Sequence, residues 1–375
     1  MKINSSIIGS VKSRIKSHSY ARRDFRTNRH IVVFESDDWG SIRMSNKKAW
    51  DELLKMGYAV DKRPYERFDT LESAEDLEAL FEVLSKYKDS KGNHPIITAN
   101  MLMANPNFDK IEKSKFQTYS YDPVADTYLN YFGNTKVLDL MRQGYREGLF
   151  MPQSHGREHF NVAQWMRGLQ TGDEDLMTAF HYGICGIAPK AHPETGNKLM
   201  NALRAENEEE QKQIDDIVKE GLQMFEQLWG FKSKTFVAPC FCWNVDVERV
   251  LANNSVGLIQ TARFKKAAYK SPTRYYFSGE KNMFNQTYSI RNCTFEPATA
   301  ANESDVCRLI KQVEKIFGQH RIAVFSTHRI NYASGLFEQN RKNTLSLLDG
   351  FLKELLKEYP DVEFLSSDRL LEILV

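Results

Sequence analysis

The sequence lacks any apolar run near the roughly 18 residues that a membrane-spanning helix needs. No stretch has the pattern of a secretion signal, and repeats and low-complexity segments are absent. Cysteine is scarce, and the five present (Cys185, Cys240, Cys242, Cys293 and Cys307) have no framework spacing. An odd set of this kind is typical of a reduced protein, so we expect a cytoplasmic location. With 41% hydrophobic and 27% charged residues, the composition predicts an ordinary globular protein.

Charge is unevenly distributed, although the formal net charge is only +2. Residues 1–29 contain eight Lys and Arg but one acidic residue, whereas residues 30–375 contain 43 basic and 48 acidic residues. We therefore divide the chain into a basic leader, 1–29, and a single domain, 30–375. The leader is either solvated or a basic amphipathic helix that contacts anionic lipid at the inner face of a membrane. Aromatic residues do not alternate with basic ones along the domain, which argues against nucleic-acid binding.

Short apolar, β-branched segments alternate with helical patterns along the domain. Strands are predicted near 31–36, 95–103, 148–151, 234–238, 257–261, 275–278 and 321–326. Helices are predicted near 45–56, 73–87, 134–146, 160–182, 205–229, 304–317 and 337–358, before a final strand–helix unit. The stretch 104–132 has the composition of a long loop or insertion. This alternation predicts a parallel α/β architecture, in which residues that follow the strands collect at one rim.

Two adjacent carboxylates, Asp37 and Asp38, end the first predicted strand. Burying such a pair is costly unless cations or hydrogen bonds compensate the charge. Neighbouring residues at a strand end point to different sides, so one carboxylate could bind a metal while the other accepts a proton. The alternative is a turn or a helix cap, which aspartate also serves well.

Two histidines, His155 and His159, follow the predicted strand 148–151 at a spacing of four. This spacing places both imidazoles on one face of a helical turn, and imidazole with carboxylate favours zinc. The segment also reads His-x-x-Glu-His, the inverted signature of some metallopeptidases, in which Glu158 would be the general base. Because Pro152 and Gly156 interrupt a helix here, we favour a loop that leads into a helix starting near Glu158.

A third histidine, His328, follows the predicted strand 321–326 and could act as a general acid. Substrate contacts are predicted for side chains next to strand ends: Trp39, Asn100, Pro239, Phe241 and Trp243. Phe241 and Trp243 could form an apolar wall against a sugar ring. Core packing is the alternative for these aromatic residues.

Taken in order, these residues resemble the motifs of the polysaccharide deacetylase superfamily, which includes carbohydrate esterase family 4. The order is Asp-Asp after the first strand, His-x-x-x-His, a Pro-aromatic segment and a late His, and it spans residues 31–330. The resemblance implies a distorted (β/α) barrel of about seven parallel strands with helical insertions. It implies a metal site of Asp38, His155 and His159, with Asp37 as general base and His328 as general acid.

The implied function is metal-dependent removal of an N-acyl group, with acetyl expected, from a sugar or glycan. Zinc is the expected ion, with cobalt or nickel as alternatives. Two alternatives remain open: a non-catalytic, carbohydrate-binding relative, and the metallopeptidase built on Glu158.

The chain departs from the family pattern in three places. Trp39 stands where the family has glycine, and Val237 stands where an arginine braces the base. No Asp-containing motif that would orient His328 can be recognised. The bracing role could pass to Arg43, Arg157 or Arg329.

Overall fold

The computed structural model describes residues 22–300 and 305–374. Most of the proposed leader, including every residue of its apolar pattern, lies outside these residues. Within the described ranges, no helix is long and apolar enough to cross a membrane.

Thirteen strands lie within the described ranges, and nine of them form one main sheet. The strands are β1 (Ile31–Trp39), β2 (Ile97–Leu102), β3 (Ala104–Pro106), β4 (Tyr121–Pro123), β5 (Phe150–Gly156), β6 (Thr235–Val237), β7 (Leu258–Thr261), β8 (Phe264–Lys265), β9 (Arg274–Tyr275), β10 (Thr287–Ile290), β11 (Cys293–Thr294), β12 (Ala323–His328) and β13 (Glu363–Phe364).

The main sheet is a curled, open (β/α) barrel. Its strand order is β10-β7-β6-β5-β2-β1-β12-β11, and every neighbouring pair is parallel. β13 adds a short parallel partner to the start of β1. The predicted distorted barrel is therefore confirmed, with eight strands along the barrel rather than about seven.

Helices follow most of the barrel strands. They are α1 (Lys47–Lys55), α2 (Pro64–Phe68), α3 (Ala74–Ser85), α4 (Phe108–Lys113), α5 (Val124–Phe132), α6 (Lys136–Arg146), α7 (Val162–Gln170), α8 (Glu174–His181), α9 (Glu208–Trp229), α10 (Val245–Asn253), α11 (Val306–Phe317), α12 (Glu338–Glu358) and α13 (Ser367–Leu374).

Two segments differ from the sequence-based expectation. The stretch 104–132, predicted as a loop, contains the hairpin β3–β4 and the helices α4 and α5. Asn107 caps α4 by accepting a hydrogen bond from Lys110 N–H, a local signal that outweighed the loop-like composition. The predicted helix 160–182 is two helices, because Gly172 adopts a positive φ of 74° between them.

The two faces of β1 pack against different parts of the chain. Val32 and Phe34 belong to the large core that the helices α3, α6, α11 and α12 cover. Ile31 and Val33 face the barrel interior, where they pack against Leu370 of α13. The C-terminal helix therefore closes the lower end of the barrel and leaves the carboxyl ends of the strands to form the site.

A glycine in α9 lets this helix approach the strand that carries His155. A Cβ on Gly221 would lie 2.8 Å from Arg157 N and 3.0 Å from Gly156 C. Real Cβ atoms do not approach backbone this closely, so a side chain here must displace residues 156–157.

We expect Gly221→Ala to destabilise the fold by about 1–3 kcal/mol, because overpacking outweighs the gain in helix propensity. Urea denaturation measures the change. Gly350→Ala, in the middle of α12, is the matched control, since its Cβ would meet only a Val306 methyl group at 3.3 Å. Equal stability of both variants would contradict the proposed close approach.

Candidate active site at the carboxyl ends of the barrel strands

A β-bulge turns both carboxylates at the end of β1 towards the barrel mouth. The pairing of β1 with β2 shifts register between Ser36 and Trp39, and Asp38 adopts a left-handed φ of 75°. Adjacent residues in a regular strand point to opposite faces, whereas a bulge redirects a side chain. Asp37 and Asp38 consequently line the same pocket, although both are almost fully buried.

Asp38, His155 and His159 converge on one point. The Nε2 atoms of His155 and His159 lie 3.5 Å and 3.1 Å from the same oxygen, Asp38 Oδ1. One potential ligand atom from each residue falls within 4.8 Å of the other two. His155 belongs to β5, and His159 lies in the loop before α7. The two imidazoles are therefore neighbours at a strand end and do not lie on one face of a helical turn. The helix after His159 starts at Val162, not near Glu158.

The donor atoms of this triad suit a divalent cation. The Nδ1–H of His155 donates to the Val237 carbonyl oxygen at 2.8 Å, and Nε2 lies on the side of Asp38. Asp38 Oδ1 and His155 Nε2 are buried without a hydrogen-bond partner among the described residues. Burial lowers the pKa of His159 to about 3, which keeps that imidazole neutral. A carboxylate with two imidazoles fits zinc or a similar ion.

Asp37 is held by an arginine that the sequence motifs did not indicate. Arg291 follows β10 and donates to both oxygens of Asp37, at 2.6 and 2.7 Å, and to Glu35 at 2.7 Å. Burial would raise the pKa of Asp37, but the Arg291 guanidinium outweighs it and lowers that pKa to about 2. Asp37 is therefore ionised at neutral pH.

His328 is oriented by Glu296, a residue just past β11. His328 Nδ1 and Glu296 Oε1 are 2.5 Å apart, and Asn331 donates to the other Glu296 oxygen at 2.8 Å. This contact leaves His328 Nε2 directed to the pocket, 3.8 Å from Asp37 Oδ2. Burial would lower the pKa of His328, but the charge and hydrogen bond of Glu296 raise it to about 9, so the imidazole is protonated at neutral pH.

None of the three arginines considered as braces for the base contacts Asp37 in the structure. Arg43 donates to Asp38 at 3.1 Å, and Arg157 donates to Glu158 at 2.7 Å. Arg329 is fully buried and pairs with Asp69 and Glu72. None of the three arginines that could have taken the bracing role therefore holds Asp37.

The residues predicted to touch substrate are mostly in the core. Phe241 lines the pocket, but Trp39 and Trp243 are each only 1% exposed and do not. Trp39 packs between Phe150 and Tyr332 in the core, and Trp243 follows its core-packing alternative.

Asn100 and Pro239 are also buried. Asn100 donates to Asp37 Oδ1 at 2.8 Å and so supports the carboxylate from behind the pocket. Direct substrate contact by Trp39, Asn100, Pro239 or Trp243 does not fit this burial.

Glu158 points away from the cluster of Asp38, His155 and His159. Its carboxylate accepts hydrogen bonds from Arg157 and from the Tyr119 hydroxyl at 2.8 Å, and it does not line the pocket. Burial raises the pKa of Glu158, although Arg157 opposes the shift. This placement argues against a metallopeptidase in which Glu158 activates water.

Comparisons with known proteins agree with the fold. No protein-family model and no curated protein sequence matches this chain. Among solved structures, a Parabacteroides distasonis protein provisionally assigned as a glycoside hydrolase/deacetylase has a TM-score of 0.50 and 8% identity. That match covers 94% of this chain and 72% of the other.

Two further structures are similar at lower TM-scores. The peptidoglycan deacetylase PdaC of Bacillus subtilis has a TM-score of 0.39 and 9% identity, over 92% of each chain. A carbohydrate esterase family 4 pseudoenzyme from Bacillus anthracis has a TM-score of 0.38 and 10% identity. This chain spans 66% of the pseudoenzyme's length, and the match covers 92% of this chain. The Parabacteroides distasonis match, at 8% identity, shows the fold alone.

Replacing Arg291 with methionine should lower the free energy of unfolding by about 3–5 kcal/mol, because it leaves Glu35 and Asp37 buried without a cation. Without Arg291, burial raises the pKa of both carboxyls in the folded state, so stability is lost as the pH rises through those values. We therefore expect a larger loss near pH 8 than near pH 5.

Urea denaturation at both pH values tests this expectation. Arg146→Met, at an exposed position, is the control and should change stability by less than about 0.5 kcal/mol. A loss in Arg291→Met that is independent of pH would contradict the electrostatic account of Asp37.

Proposed function

We propose that this chain is a metal-dependent hydrolase of the polysaccharide deacetylase type, which removes an N-acyl group, most simply acetyl, from a sugar. The observation that carries the proposal is the convergence of Asp38, His155 and His159 beside Asp37, which is paired with Arg291, and His328, which is paired with Glu296. A second candidate is a non-catalytic relative, which the missing bracing and orienting motifs favoured. The contacts of Arg291 with Asp37 and of Glu296 with His328 argue against it.

Asp38, His155 and His159 would hold the ion, and zinc fits these donors best. When bound, the ion supplies a Lewis acid for the acyl carbonyl and lowers the pKa of a ligated water to about 7. The two proton transfers of the reaction are assigned to side chains, Asp37 and His328.

Asp37 acts as the general base. Arg291 keeps its carboxylate ionised, and Asn100 fixes its orientation through Oδ1. Asp37 would therefore accept a proton from water as the oxygen attacks the acyl carbon.

His328 acts as the general acid on the leaving group. Glu296 holds the ring through Nδ1, so the proton on Nε2 can pass to the amine nitrogen as the C–N bond breaks. The two roles match the opposite protonation states of Asp37 and His328 at neutral pH.

The cellular setting is a proposal that rests on the sequence. We propose a cytoplasmic enzyme that acts on an acylated sugar or glycan, with residues 1–29 as a contact to anionic lipid. Fractionation of cells that produce the chain with and without residues 1–21 tests both parts.

Two isosteric substitutions separate the deacetylase from the metallopeptidase. Asp37→Asn should reduce acetate release from N-acetylated sugars by about 10²–10⁴-fold, because it removes the general base. Glu158→Gln should retain most activity, since Glu158 lies outside the pocket. Zinc-loaded wild type and both variants are compared after circular dichroism shows the same fold.

The reverse pattern, loss of peptide hydrolysis in Glu158→Gln with an active Asp37→Asn, would favour the metallopeptidase. Absence of acetate release from wild type across N-acetylated sugars, with zinc bound, would overturn the deacetylase and leave a carbohydrate-binding relative.

A further inference from the structure

The pocket at the barrel mouth has three walls that come from separate parts of the chain. The first wall is the segment between β1 and α3, which contributes Arg43, Met44, Arg63, Tyr65 and Glu66. The second is the segment between α8 and α9, which contributes Ile184, Gly186, Ile187, Asn197 and Met200. The third follows β6 and contributes Ala238, Cys240 and Phe241.

Direct contacts join these walls to one another. Arg63 of the first wall donates to the Pro193 carbonyl of the second-wall segment at 2.9 Å. Cys240 of the third wall donates its thiol to the Met200 carbonyl of the second at 3.4 Å. The second wall is thereby tied to its neighbours on both sides.

A further contact joins the first wall to a site residue, because the His328 ring meets Tyr65 edge to face at 5.7 Å. Contacts therefore link the first wall to His328, the first wall to the second, and the second to the third. An internal unit of a polymer needs two open ends, and these links leave the pocket without a second one on the linked sides.

The size and chemistry of the pocket fit one sugar unit. Its volume is about 220 Å³, below the roughly 300–1,000 Å³ of pockets that hold drug-sized ligands. The floor is polar, with Asp37, Asp38 and His328, while part of the wall is apolar. The apolar side chains of the lining are Met44, Ile184, Ile187, Met200, Ala238 and Phe241.

We infer that the site binds a single N-acylated sugar, either free or at the end of a glycan, and excludes units inside a polymer. The inference rests on the proposed function for its substrate class. The apolar wall packs on the sugar face or its acyl group, and the link between Arg63 and Pro193 blocks the path of a continuing chain.

Sugar binding by a variant that lacks the proposed general base tests the single-unit pocket independently of the proposed reaction. Zinc-loaded Asp37→Asn is titrated by calorimetry with N-acetylglucosamine, N-acetylgalactosamine, N-acetylmannosamine and the β-1,4-linked N-acetylglucosamine hexamer. For N-acetylglucosamine and its hexamer, we expect affinities within about threefold of each other, since only one unit enters the pocket. A hexamer at least about tenfold tighter, or binding of no sugar in the panel, would overturn the inference.

The second measurement locates the sugar unit of the hexamer that loses its acetyl group. Mass spectrometry of hexamer treated with wild type should show acetate loss at a terminal unit only. Loss at internal units would overturn the inference but leave the proposed function standing. If a sugar binds as expected and no acetate is released, the proposed function fails and the single-unit pocket stands.

Arg63→Ala tests whether the hydrogen bond between Arg63 and the Pro193 carbonyl excludes internal units of a polymer. We expect it to admit internal units, so that its product distribution moves inward along the hexamer. Lys62→Ala is the matched control, because this exposed neighbour pairs only with Asp61 among the salt bridges of the described residues. Internal cleavage that rises equally in both variants would contradict the role of Arg63.

Discussion

The bidentate ion pair between Arg291 and Asp37, shared with Glu35, is the interaction on which the site depends. Three fully or nearly buried charges can stay in a barrel interior only when they compensate one another. Ser367, at the start of α13, donates to Glu35 at 2.8 Å and links the C-terminal helix to the same group. The helix that closes the lower end of the barrel thus helps to fix the carboxylate at its mouth.

Around this group, opposite electrostatic environments shift the pKa of Asp37 downwards and the pKa of His328 upwards. Arg291 keeps Asp37 ionised, while Glu296 keeps His328 protonated, and the two groups face each other across 3.8 Å. The bulge in β1 then places Asp38 beside the same pocket, where the imidazoles of His155 and His159 meet it. A pair of groups with displaced pKa values next to a set of donor atoms is the arrangement expected of a metal-assisted hydrolase.

The sequence predicted the parts of the fold and site that depend on local patterns. The apolar strands β1, β5 and β12 carry Asp37, Asp38, His155 and His328 at their ends, so a parallel barrel brings these residues together. Arg291 and Glu296 were missed because β10 and β11 have four and two residues and no clear apolar run. For Arg291, the available signal was a charged residue directly after the alternating segment 287–290. Trp39 was misassigned because no local pattern reveals the bulge that places it in the core.

The central claim is that Asp38, His155 and His159 bind one divalent ion, and calorimetric zinc titration of the metal-stripped protein tests it most directly. The account predicts one high-affinity site per chain in wild type and loss of that site in His155→Ala/His159→Ala. The double variant His181→Ala/His192→Ala, which removes two histidines away from the pocket, should bind zinc as wild type does. Absence of zinc binding in wild type, or equal binding in both double variants, would contradict the account.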